Sequence, residues 1–140
     1  MVPSMWLFDT TFIIDLINAD EGAVRKAQEI DAHPTFKAVS VVTVQEYLRG
    51  IYYLYASNPE KLREKLGKAE ADLSRFEILP FDLPVARRAA ELEAKLLRSG
   101  HPISIADAII AATALHYGLT LVTRNVKHFE KIEGLKLESY

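Results

Sequence analysis

The chain has 140 residues, is 49% hydrophobic and 26% charged, and carries a formal net charge of −2. That length is the usual size of one domain, so residues 1–140 are read as a single unit that buries about 68–70% of its unfolded surface. The absence of cysteine excludes disulfides and thiolate metal sites and suits the cytoplasm, while the near-neutral charge leaves a polyanion only local patches or bound cations to hold it.

No apolar run reaches the ~18 residues of a membrane span, and Met1 to Met5 lacks the basic start of a signal peptide. No membrane association is expected. Residues 5–9 ("MWLFD") read as a buried first strand. Thr10 or Thr11 then caps a helix through about Asn18, and a second helix runs from near Glu21 to before Pro34. "FKAVSVV", 36–42, is the second strand. Thr43 and Glu46 have capping-box spacing and open a helix to about Ala56. Asn58-Pro59 starts another helix, to about Phe76, whose amphipathic face is a plausible dimer or partner element. "EILPF" is a short third strand, and a helix from Pro84 to Ser99 stops at Gly100. Ser104 caps "IADAIIAATALHY", which ends at Gly118. "LTLVT" is the fourth strand and "LKLES" the fifth.

Strands alternating with helices imply parallel pairing, because each parallel strand needs a crossover. Strands that are apolar throughout fit a sheet covered on both faces. The expected fold is an α/β/α sandwich of three layers around a mainly parallel sheet of about five strands.

Ligands of such sheets collect outside the carboxyl ends of the strands. Asp9 closes the first strand, Glu46 follows the second, and Asn125 lies two residues beyond the fourth. Asp107 joins them as the third residue of the helix capped by Ser104. Taken singly, Glu46 and Asp107 are explained by helix capping, and an acid in a first turn is favoured by roughly 0.3–1 kcal/mol. Asp9 fits that account less well, since Thr10 or Thr11 could serve as the cap. Taken together, three carboxylates in one crevice repel one another unless protonated or bridged by a cation. A hard divalent ion with water in its remaining positions is the economical solution. The dispersed His33, His101, His116 and His128 argue against zinc, which leaves Mg²⁺ or Mn²⁺.

"LFDTTFIIDLI", "SVVTVQEYLRGI" and "SIADAIIAATALHYGLTLVTRNVKHFEKIEGLKLE" together resemble the PIN-domain toxins of VapBC toxin–antitoxin systems, from Leu7 to Glu138. The resemblance implies a Mg²⁺- or Mn²⁺-dependent ribonuclease, usually a homodimer, held inactive by a cognate antitoxin. Asp9, Glu46 and Asp107 match the family's three acids. Thr10 or Thr11 matches the hydroxyl after the first acid, and Thr123 and Asn125 match its later polar positions. A fourth acid, often found at the place of Asn125 or just before the phenylalanine, is absent here, where His128 precedes Phe129. Asp9, Glu46 and Asp107 are therefore the expected catalytic residues and, with Asn125, the metal ligands. Thr10, Thr11, Thr123 and Arg124 are expected at the substrate, Arg124 as a phosphate contact. Asp15, one and a half turns past Asp9, reads as solvated.

Two other readings compete. A phospho-accepting receiver domain also uses Mg²⁺ beside acids, but it needs adjacent early acids and a free Asp after a middle strand, where this chain has Asp82-Leu83-Pro84. A PIN fold that has lost catalysis and persists as a binding or regulatory protein is the closer alternative.

Overall fold

The computed structural model describes residues 5–140. Five strands form: β1 (Met5–Phe8), β2 (Phe36–Ser40), β3 (Glu77–Leu79), β4 (Thr120–Val122) and β5 (Leu137–Glu138). They make one sheet in the order β3-β2-β1-β4-β5, and every pairing is parallel. Seven helices connect them: α1 (Thr10–Ile17), α2 (Glu21–Asp31), α3 (Val41–Leu54), α4 (Pro59–Leu73), α5 (Leu83–Arg98), α6 (Ile105–Tyr117) and α7 (Val126–Phe129).

Alternation along β1 sorts the core into two faces. Leu7 packs with Ala38 and Leu121 against Ile110, Ala111 and Ala114 of α6, with Leu96 and Phe129 completing the cluster. Trp6 and Phe8 point the other way, with Val39 and Val122, onto Phe12 and Ile13 of α1 and Ala23 and Ile30 of α2. Side chains on successive strand residues emerge on opposite faces, so a strand apolar at each position needs helices on both sides. The three-layer sandwich expected from the sequence is the observed fold. Its innermost helix is α6, where Ala108 to Ala114 are all buried. Val85 and Ala89 of α5 cover the side that faces away from the sheet. Small residues let α6 lie between sheet and α5, which explains a helix with little amphipathic character.

Several boundaries differ from expectation. β2 ends at Ser40 rather than residue 42, and α3 begins at Val41. Ser40 is the cap, its hydroxyl accepting from the Val42 amide at 3.1 Å. The Thr43–Glu46 capping box does not exist, because Thr43 already lies inside the helix. The valine run 41–42 belongs equally well to a buried strand or a buried helix end, and periodicity alone cannot separate them. α1 is capped by Asp9, with extended backbone, rather than by Thr10 or Thr11. β3 stops at Leu79 because Pro80 has no N–H to continue the ladder. The four-residue α7 was not anticipated, being too short to show a helical period.

Candidate active site

The register of the sheet sets the site. Phe8 pairs with Val39 of β2 and Val122 of β4, so Asp9 and Thr123, the first residues past β1 and β4, stand in line with Ser40, the last residue of β2. The Asp9 amide still donates to the Val122 carbonyl at 3.2 Å, and the Thr123 amide donates to Glu138 at 3.0 Å. Asp9 is thus fixed by the ladder it has just left.

Its carboxylate is buried, at 3% exposure, and is met by three donors. Oδ1 accepts from the Thr11 hydroxyl at 2.7 Å and from the Phe12 amide at 2.9 Å. Oδ2 accepts from the Thr123 hydroxyl, whose oxygen in turn accepts from the Asn125 amide at 3.0 Å. A carboxylate offers about four lone-pair positions, so roughly one remains, on Oδ2. Burial pushes the Asp9 pKa above the ordinary carboxylate value, against the lowering effect of its three hydrogen bonds, and the charge of Asp107 adds to the rise. Asp9 is both helix cap and buried acid.

Glu46 reaches the same strand ends through hydroxyls. It is the sixth residue of α3, and its Oε1 lies 2.6 Å from Thr10 Oγ1, which is 3.1 Å from Thr43 Oγ1. A carboxylate can only accept and a hydroxyl has one proton, so Thr10 donates to Glu46 and Thr43 donates to Thr10. Thr43, expected as a helix cap, is instead a fully buried link in this chain. Asp107 stands at the start of α6, where its amide donates to Ser104 at 3.1 Å. Its Oδ2 lies 3.1 Å from His128 Nδ1 of α7, which therefore carries the ring proton of that contact.

The three acids are brought to one end of the sheet but not into a closed cage. Among the described residues, no three His, Cys, Asp or Glu side chains stand close enough together to grip one ion by themselves. The donor set is nonetheless all oxygen, with a spare lone pair on a buried acid whose ionisation is opposed. Such a set fits a hard cation that keeps several waters and takes only one or two carboxylates.

Arg124 is arranged differently from expectation. Its guanidinium lies 2.7 Å from Asp20 and 3.3 Å from Asp15, over the ring of Tyr140 at 4.7 Å. Asp15 is not merely solvated, since it also accepts from the Tyr140 hydroxyl at 2.7 Å. Hydrogen bonding to Asp20 raises the Arg124 pKa further, and burial with the Asp15 bond raises that of Tyr140. The charge next to Thr123 is thus already paired, and Tyr140, edge-on to Phe12, braces the turn that carries Asp9. Asn125 is half-buried and caps α7 without a side-chain bond. Asp82, the acid the receiver reading would need, caps α5 by accepting from Val85 at 3.3 Å. Sequence reasoning missed Ser40, Asp20 and Tyr140. Ser40 had a readable signal as a small hydroxyl before an apolar helical run, and so did Asp20, which caps α2 by accepting from the Ala23 amide at 3.0 Å. The pairing of Asp20 with Arg124 and the contacts of Tyr140 join distant parts of the chain.

Residues 6–135 match the PIN domain family. Among curated relatives, the chain is 28% identical to a tRNA(fMet)-specific endonuclease VapC of Shigella flexneri, over 96% of this chain and 97% of that protein. It is 32% identical to ribonuclease VapC1 of Rickettsia felis, over 94% and 92%. Among solved structures it superposes with a TM-score of 0.81 and 27% identity on a chain of VapBC2 from Rickettsia felis bound to a promoter DNA fragment, over 97% and 98%. With its parallel sheet, its buried Asp9 at the strand ends and end-to-end alignment to these proteins, the chain belongs to the PIN domain family, in its VapC ribonuclease branch.

Proposed function

We propose that this chain is an endoribonuclease toxin that hydrolyses RNA phosphodiester bonds with Mg²⁺ or Mn²⁺ and is held inactive by a cognate antitoxin. The observation that carries the reading is Asp9, a buried carboxylate held by three donors at the strand ends, its ionisation opposed by burial and by Asp107. The names of the relatives, and the toxin–antitoxin complexes among the similar structures, support the substrate class and the partner. A cytoplasmic homodimer goes with this reading. No helix among the described residues is long and apolar enough to cross a membrane.

Asp9, with Asp107 or Glu46, would hold the cation directly, the remaining acid would act through bound water, and Asn125 would serve as a neutral ligand or water anchor. A bound divalent ion lowers the pKa of an attacking water and screens the charge of the phosphodiester. The chain's own residues do the positioning. Thr123, Thr11 and the Phe12 amide aim the Asp9 carboxylate and favour its ionised form. Thr10 fixes Glu46 in the same way. Because these hydroxyl protons are given to carboxylates, Thr10, Thr11 and Thr123 orient the acids in this reading, and Arg124 braces the loop that presents Thr123.

Cleavage of RNA by the wild type and by Asp9→Asn, Glu46→Gln and Asp107→Asn tests the proposal. Each amide is expected to lower the rate by about a hundredfold or more in Mg²⁺ or Mn²⁺ while leaving the fold intact. Full activity of Asp107→Asn overturns its assignment. Expression without antitoxin separates cleavage from binding: arrest by the wild type alone supports a nuclease, and equal arrest by Asp9→Asn supports the non-catalytic alternative.

A further inference from the structure

A nuclease that cuts within a strand must hold phosphates on either side of the one it attacks, and a chain of net charge −2 can do so only locally. Arg124, which follows Thr123 directly, is committed to Asp15 and Asp20. Two openings flank the acids. On the Glu46 side the groove is walled by Ile14, Ile17, Ile51 and Leu54, an apolar lining unsuited to phosphate although Lys65 and Lys68 reach its edge. On the Asp107 side lies a cleft of about 480 Å³ between the α5–α6 connection and α7. His101, Asp107, Lys127, His128, Glu130 and Lys131 line it. Lys127 and Lys131 are exposed, and among the described residues neither takes part in an ion pair. Lys131 also borders a neighbouring cleft where Lys95 is paired with Glu91 at 3.5 Å and Glu133 shares the lining with Arg88, so of these two clefts it is the one on the Asp107 side that the unpaired lysines serve.

We propose that this cleft is a subsite for the sugar–phosphate backbone of single-stranded RNA, with Lys127 and Lys131 contacting phosphates next to the scissile one. It rests on the ribonuclease reading and specifies the side on which the strand lies. The His128 ring, held by Asp107 at the mouth of the cleft, and the exposed His101 are flat surfaces against which an unstacked base can rest. Backbone contacts of this kind add affinity without reading sequence.

The test is fluorescence anisotropy of a labelled single-stranded RNA with the full-length protein in EDTA, across a salt series, beside a cleavage assay in Mn²⁺. Lys127→Gln/Lys131→Gln is expected to weaken RNA binding about tenfold and to reduce the slope of log affinity against log salt by about 1.4, two phosphate contacts at roughly 0.7 each. Lys65→Gln/Lys68→Gln, on the apolar side, serves as the control and is expected to stay within about twofold. Wild-type cleavage with unchanged binding by the first pair, or equal losses from both pairs, overturns the subsite and leaves the nuclease standing. A wild type that neither binds nor cuts RNA overturns the nuclease reading itself.

Discussion

Asp9 ends a strand, caps a helix and presents an acid with the same two oxygens, and these tasks conflict. Capping and the Thr123 and Thr11 bonds favour the ionised form, whereas burial and the Asp107 charge oppose it more strongly. The folded chain therefore retains a proton on Asp9 over a pH range in which the unfolded chain has lost it. Stability from this group is greatest below the ordinary carboxylate pKa and falls as pH rises through the elevated one. In Asp9→Asn the carboxamide oxygen can still accept from Phe12 and Thr11, and the Thr123 hydroxyl can rotate to accept from the amide nitrogen. The difference in unfolding free energy, wild type minus Asp9→Asn, is expected to decline with rising pH in metal-free buffer and to recover when Mg²⁺ is added. Urea titrations at several pH values measure it. A difference that grows with pH in the absence of metal shows that Asp9 is stabilised as an anion by the protein alone.

Among the elements, α3 separates a structural hydroxyl from a functional one. Ser40 caps the helix, whereas Thr43 passes its proton to Thr10 and so fixes Glu46. Ser40→Ala is expected to cost about 1 kcal/mol of stability, the usual value of a lost cap. Thr43→Val is expected to act on cleavage by loosening Glu46, with its Mn²⁺ dependence altered. Unfolding curves and rates on the two variants test this, and a rate unaffected by Thr43→Val removes Thr43 from the chain that holds Glu46. The pair also shows what sequence discloses. The order of strands and helices was legible because apolar periodicity and caps such as Asn58-Pro59, Asp107 after Ser104 and Gly118 are local signals. The end of β2 was not, since Val41 and Val42 suit either element, and with it the true position of Glu46 was lost. Asp9 and Glu46 were legible as acids after strand ends and Asp107 as an acid in the first turn of a capped helix, but their spacing was not, because each sits on a different element. The partnership of Asp15 with Tyr140 spans 125 residues and leaves no local pattern.

At the scale of the whole molecule, the strand order explains why these acids meet at all. The chain leaves β1 towards β2 on one side, while β4 reaches β1 from the other, so the connections diverge and open a crevice at the carboxyl end of β1. Asp9 is at its floor, Glu46 arrives on α3 and Asp107 on α6. No two of them share an element, so the arrangement exists only in the folded chain, and a cation bound there as proposed would favour folding. At a hundred times its dissociation constant an ion adds about 2.7 kcal/mol, which for a chain of this size raises the melting temperature by roughly 5–10 °C. Mn²⁺ is expected to produce that shift in the wild type and almost none in Asp9→Asn, by scanning calorimetry. Titration calorimetry is expected to count one ion, because Asn125 offers a neutral oxygen and His128 occupies the other place where a fourth acid could stand, already bonded to Asp107. Two tight ions would require a ligand beyond these four positions. An equal shift in Asp9→Asn would place the cation away from β1, and the buried acid would then be a helix cap whose raised pKa serves no metal.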